Sequence, residues 1–290
     1  MFHQMSRFVS KFRDLEQQEF THTSEEERQW RLLKEKLASP HTVEQQEAIM
    51  RKCIAVTSLY PQAGASFVAG NIAYAWAGQG IPVTLCEMPN QTSYFYFALD
   101  YERRVRSLKN FSPTSLLLMQ NNQLRIQIDT PFHGQQESSR MDIANWILRV
   151  SKDSPIVFID ISSHWNQSEA RQIFEIADEV WVVFDTDIAR LTRLFLVETA
   201  PSWWVTEKSK LRFIANKWNA HFARSTVMKK VKGTLSLWGQ TFPQIDYQIP
   251  LVDEEKAAMA HVKANFLLEL FPEQESEFQS LIYAHKGRVL

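Results

Sequence analysis

One stretch of this 290-residue chain has residue types and spacing that could hold a phosphate. From Cys53 to Pro89 it reads CIAVTSLYPQAGASFVAGNIAYAWAGQGIPVTLCEMP. A β-branched strand leads into a small-residue turn, PQAGAS, then a long helix and a second strand. Phosphate loops of this layout work through backbone N–H groups and the N-terminal end of the following helix. Glycine lets the backbone approach the phosphates, a lysine adds a point charge, and a Ser or Thr hydroxyl holds magnesium. Gly64 and Ser66 match the last glycine and the hydroxyl of that pattern, and Ala65 stands where the lysine belongs.

The elements that must position such a loop are legible as apolar runs. Strands are expected at 53–58, 82–87, 155–160, 179–184 and 211–216, with further ones near 245–249 and at 124–129. The runs are continuous rather than alternating, as in strands buried on both faces of a parallel sheet. Helices are expected at 66–79, about 138–151, 168–177, 187–202 and 253–262. Alternating β and α units imply an α/β fold with a doubly wound, mostly parallel sheet flanked by helices. Ligands of such folds sit beyond the carboxyl ends of the strands. The segments SLYPQAGAS, EMPNQ, DISSHW, FDTD and NKW all fall there.

Residues 1–50 read as a helical N-terminal extension to a main domain spanning 51–290. Ser24 and Glu27 have capping-box spacing, and Trp30, Leu33 and Leu37 form one apolar stripe. This arm either packs on its own domain or docks a partner.

Composition narrows the function classes. Apolar residues make up 44% and charged residues 22% of the chain, and the net charge is −1. That composition is ordinary for a soluble globular protein. No global field favours nucleic acid or anionic lipid, so such a partner would need a local patch. The two cysteines, Cys53 and Cys86, fall within strands and are expected to be reduced, buried thiols, as in a cytoplasmic protein. The first twenty residues lack the apolar core of a signal peptide. No run approaches the roughly 18 apolar residues of a membrane span. The eight histidines show no ligand spacing, so no zinc site is expected.

The surroundings of the loop resemble the ParA/MinD family of deviant P-loop (SIMIBI class) ATPases, whose pattern is GKGGxGKTTxAxNLAxxLAxxGxxVxLxDxD. Gly64, Ser66, Asn71, Ala73, Ala77, Gly80, Val83 and Leu85 fall in register with it. IVFIDISS is similar to the family's IIDTPP segment and puts Asp160 in the Walker B position. ADEVWVVFDTDIARL, FIANKWN and YQIPLVDEEKAAMA are similar to three further family segments, in the family's order. The likeness spans about residues 52–262.

The resemblance implies a nucleotide site and also its damage. Tyr60 stands where the family has a signature lysine that reaches across a dimer. Ala65 replaces the lysine that grips the β- and γ-phosphates. Glu87 and Pro89 replace the two aspartates of the first switch, and proline cannot position water. Losing one preorganised electrostatic contact of this kind costs roughly 3–4 kcal/mol. The family likeness therefore implies a degenerate Walker A loop and a pseudo-ATPase or very weak ATPase, with no catalytic residue assigned. It places weak ATP or ADP binding with Mg2+ on Gly64, Ala65, Ser66, Phe67, Asp160 and Asn216. Ser66 and Asp160 would be the groups beside the metal. Each site residue has a plainer reading: Asp160 caps a loop, Asn216 satisfies a turn, Glu87 is structural, and Asp185 and Asp187 cap the helix that follows.

Around Trp203, Trp204, Trp218 and Trp238 lie Lys208, Lys210, Lys217, Arg224, Lys229, Lys230 and Lys232. These aromatics read as core and protein interface, with nucleic acid possible and not favoured. The C-terminal segment SEFQSLIYAHKGRVL, with Phe278, Leu281 and Ile282 on one face, reads as a docked helix, with peripheral membrane contact at most. The family resemblance implies a cytoplasmic positioning, scaffold or regulatory protein of partition, division or pilus/secretion type, the last being TadZ/CpaE-like. Protein partners and a homodimer are expected. The alternatives are a slow ATPase drawing a cation from Arg103, Arg104 or Arg106, and a DNA- or membrane-surface module.

Overall fold

The computed structural model describes residues 51–102, 115–119, 123–129, 142–152, 154–219, 226–239 and 244–284. The chain divides into two units, Met1–Ala48 and Ile49–Leu290, and the described residues belong to the second. The helices expected within 1–50 and the arginines at 103–106 lie outside them.

The elements run β1 (Lys52–Ser58), α1 (Ala65–Gly78), β2 (Val83–Glu87), α2 (Tyr94–Ala98), β3 (Ser115–Met119), β4 (Leu124–Asp129) and α3 (Ile143–Val150). Then come β5 (Ile156–Ser162), α4 (Ser168–Ile176), β6 (Glu179–Phe184), α5 (Ile188–Val197), α6 (Ser202–Thr206) and β7 (Leu211–Trp218). The chain continues with α7 (Thr226–Leu235), β8 (Ile245–Pro250), α8 (Glu254–Val262), α9 (Leu267–Leu270) and α10 (Gln279–Ala284). The strands form one eight-stranded sheet in the order β3-β4-β2-β5-β1-β6-β7-β8. Every pairing is parallel except β3 with β4 at one edge. This is the expected doubly wound, mostly parallel sheet.

Strand residues alternate between two half-cores, as the two-residue period requires. Ile54, Val56, Phe158 and Trp181 pack with α1, α9 and α10 on one face. Cys53, Ala55, Val157, Ile159 and Val182 pack with α3 to α7 on the other. α1 carries apolar residues around its whole circumference, including Val68, Ile72, Ala75 and Trp76, which suits a helix enclosed on all sides.

Several boundaries differ from expectation. The helix expected at 187–202 ends at Val197, and α6 begins after Pro201. A proline two to four residues on cannot continue a helix, so the chain breaks there. Strand β3 and helices α2 and α7 were not anticipated. Both cysteines are buried and free.

Candidate functional site

β1, β5, β6 and β7 are neighbours at the centre of the sheet, and their carboxyl ends converge on the 59–64 loop. Gly64, the N-cap of α1, has φ 104° and ψ 28°, a left-handed conformation natural to glycine. A Cβ on it would run into Asn216 Nδ2. Asn216 is buried, and that same Nδ2 donates to Ala63 O at 2.9 Å.

The other loop carbonyls are also tied down. Trp165 Nε1 donates to Leu59 O at 3.1 Å, Arg190 Nη1 to Pro61 O at 3.4 Å, and Lys217 Nζ to Gln62 O at 2.9 Å. Ala63 N donates to Tyr60 O and Val68 N to Gly64 O. The first amides of α1, from Gly64 through Phe67, have no partner within the helix. Carbonyls held away from them and a positive helix end are the arrangement that receives an anion.

The two positions where the family resemblance puts loop lysines are closed. Ala65 is 3% exposed. Tyr60 is turned inward and buried, and its hydroxyl donates to Asp185 Oδ1 at 2.7 Å. Asp185 N in turn donates to the Tyr60 oxygen at 3.3 Å. Burial, and then the Asp185 carboxylate, push the Tyr60 phenol well above its usual range. The cations bound to the loop, Lys217 and Arg190, hold its carbonyls. Asp187 N–H donates to Asp185, and the Asp187 side chain caps α5 by accepting from Arg190 N.

Asp160, which the resemblance puts in the Walker B position, is 2% exposed and lies opposite Glu87 in the β2–β5 ladder. Its Oδ1 accepts from Ser162 N at 2.8 Å. Its Oδ2 is buried without a hydrogen-bond partner. The Ser66 hydroxyl is 3.1 Å from that of Ser162. Burial raises the Asp160 carboxyl to about 6, against the lowering pull of the nearby Ser66 hydroxyl and of Ser162. Burial likewise raises Glu87 to about 7, opposed by the Ser93 hydroxyl and reinforced by the charge of Asp160. Glu87 secures the start of α2: it accepts from Ser93 Oγ, from Tyr94 N at 2.6 Å and from Phe95 N at 3.2 Å. Pro89 is buried next to it.

The arrangement fits magnesium nucleotide in part. The α1 amides could meet phosphate oxygens, and Ser66 Oγ and the orphaned Asp160 Oδ2 are hard oxygen donors. Among the described residues there is no group of three His, Cys, Asp or Glu placed to hold a metal alone.

Of the residues expected in the site, Gly64, Ala65, Ser66, Asp160 and Asn216 converge at the loop. Phe67 turns towards the C-terminal elements, where its ring lies 5.9 Å from that of Phe278. Sequence reasoning did not anticipate that Trp165, Asp185, Arg190 and Lys217 contact the loop. Those contacts join residues 106 to 155 positions apart. Trp203, Trp204, Trp218 and Trp238 are all buried. Three of them pack with Phe174, Phe195 and Phe213 in one aromatic cluster, in which the Phe195 and Trp238 rings lie 4.1 Å apart. Phe278, Leu281 and Ile282 are buried, so the C-terminal segment is docked as far as Ala284, and the rest of it lies outside the described residues.

No protein-family model and no curated protein sequence matches the chain. Solved structures do. A ParA family ATPase from Chlorobium tepidum is 14% identical over 81% of this chain and 99% of that one, with a TM-score of 0.55. MinD from Pyrococcus horikoshii, complexed with Mg-ADP, is 14% identical over 82% and 96%, with a TM-score of 0.59. A chain of the MinC:MinD cell division protein complex of Aquifex aeolicus is 15% identical over 82% and 97%, with a TM-score of 0.58. The chain has the P-loop fold of the ParA/MinD ATPases.

Proposed function

We propose that this chain is a divergent ParA/MinD-like protein that works as a positioning, scaffold or regulatory component and not as an efficient ATPase. The observation that carries this reading is the inward-turned Tyr60, hydrogen-bonded to Asp185, beside a buried Ala65. Phosphoryl transfer depends on charge placed at the transferring group, and both loop positions that would carry such charge are neutral and enclosed. Proteins of this fold include division proteins and one described as a plasmid partition protein, and one structure is a MinC:MinD complex. That supports a role in a partition, division or pilus/secretion system through protein partners, including a second copy of the chain.

Weak binding of ATP or ADP with Mg2+ belongs to the same reading. The amides of Gly64, Ala65, Ser66 and Phe67 would face phosphates, with Ser66 and Asp160 on the metal side and Asn216 bracing the loop. The buried tryptophans contribute core instead of a nucleic-acid surface. No described helix is long and apolar enough to cross a membrane, in keeping with a cytoplasmic protein that touches membrane only peripherally.

Calorimetric titration with Mg·ATP, run alongside a phosphate-release assay, tests the proposal. Weak or absent binding without release above background is the expected result. Release that Ser66→Ala abolishes would sink the inactive-scaffold reading.

A further inference from the structure

Neighbouring residues of a strand point to opposite faces. Asn216 and Lys217 break that rule, because both side chains reach consecutive carbonyls of the same loop, Ala63 O and Gln62 O, each at 2.9 Å. Two irregularities make this possible. The β7–β8 register advances three residues along β7, from Ala215 to Trp218, against two along β8, from Gln248 to Pro250. An extra residue of this kind re-aims side chains. Within it Lys217 takes φ 52°, the left-handed region that residues with a side chain seldom adopt. Gln62, the acceptor, is also left-handed, with φ 70°. Two residues in unfavourable backbone conformations are thus linked by one hydrogen bond from the Lys217 side chain. Backbone held this way persists where the surrounding structure enforces it.

The Lys217 ammonium also lies 3.5 Å from Asp185 Oδ2, the carboxylate whose other oxygen receives Tyr60. Its side chain is 43% exposed, so core packing does not account for its placement.

We infer that Lys217 is a positioning residue: reaching in from the β7 bulge, it holds the 59–64 loop in its phosphate-receiving form without any ligand. A lysine inside the loop organises it together with the bound phosphate. Here the positive charge acts from outside, on the carbonyl side, and leaves the amides of α1 presented. The inference rests on the proposal that the loop remains an anion-receiving element, and its test separates the two.

Amide hydrogen exchange is measured on the ligand-free full chain over the peptide spanning 59–66, in the wild type, Lys217→Met and Lys217→Arg. Loss of one charged hydrogen bond speeds local opening by roughly ten- to a hundredfold. That acceleration, confined to the loop in Lys217→Met and reversed in Lys217→Arg, is the expected result. Exchange unchanged in Lys217→Met, accelerated equally in β1 and β6, or not restored by arginine would overturn the inference. A parallel titration of the same proteins with Mg·ADP reports on the other reading. Absence of binding by the wild type would remove the anion role while leaving the brace as measured.

Discussion

The Tyr60 hydroxyl and the Asp185 carboxylate form a buried 2.7 Å hydrogen bond across 125 positions of sequence. It ties the loop after β1 to the end of β6, and it fills the space from which a loop cation would project. Tyr60→Phe removes the donor and leaves Asp185 Oδ1 with the Asp187 amide. The expected cost is about 1–3 kcal/mol, read as a lower denaturant midpoint at constant slope. Tyr60→Lys is expected to pair inward with Asp185 and to produce no phosphate release, which the same release assay checks.

Gly64→Ala meets two penalties together, a left-handed φ and the Asn216 amide standing where the new methyl would go. A loss of about 1–3 kcal/mol is expected. Combining it with Asn216→Ala removes the collision but not the backbone strain. The double variant should therefore be less destabilised than the sum of the singles, a coupling that a double-mutant cycle in thermal or chemical unfolding measures.

The Glu87–Asp160 pair sets a pH dependence. Both carboxyls are raised in the folded protein, from 4.5 to about 7 and from 3.8 to about 6. Between the unfolded and folded values the native state holds more protons than the unfolded chain, so stability falls as pH rises. The contribution of the pair is full below about pH 4 and is lost as pH climbs through 6 and 7. Its slope is at most about 1.4 kcal/mol per pH unit for each group. Denaturant midpoints from pH 4.5 to 8 should show this decline, and Glu87→Gln should flatten its upper part.

Trp203 is buried against Phe174, with ring centroids 4.6 Å apart, and its indole nitrogen donates to Trp165 O. Trp203→Ala should cost about 3–5 kcal/mol, seen in the unfolding midpoint. A loss of partner binding without loss of stability would contradict the placement of this tryptophan in the core.

What the sequence disclosed follows the range of the forces involved. The central strands were legible because burial on both faces leaves runs such as IVFID and EVWVVF. The helix at Tyr94–Ala98 was not, since YFYFA has the composition of a strand. It is made helical by Ser93 and by Glu87, seven residues upstream of the first amide it caps. β3 was hidden between segments with no periodic signal. At the site, the absent lysine could be read directly from Ala65. The direction of Tyr60 could not, because it is set by an aspartate just past the end of β6 that reads locally as a helix cap. Lys217 looked like one cation among seven, and only the β7 bulge singles it out.

The half-core that encloses α1 is completed late in the chain. Asn71, in the middle of α1, accepts a hydrogen bond through its side-chain oxygen from Leu268 N, 197 positions further on. Phe266, Phe278, Leu281 and Ile282 close the same side. During synthesis, then, the strand and helix that shape the loop emerge early, with one apolar face uncovered until these distant residues arrive. Such long-range closure slows folding and leaves the nascent chain exposed to wrong contacts. The helix behind the loop is therefore enclosed on that side only once the residues from Phe266 onward have been made.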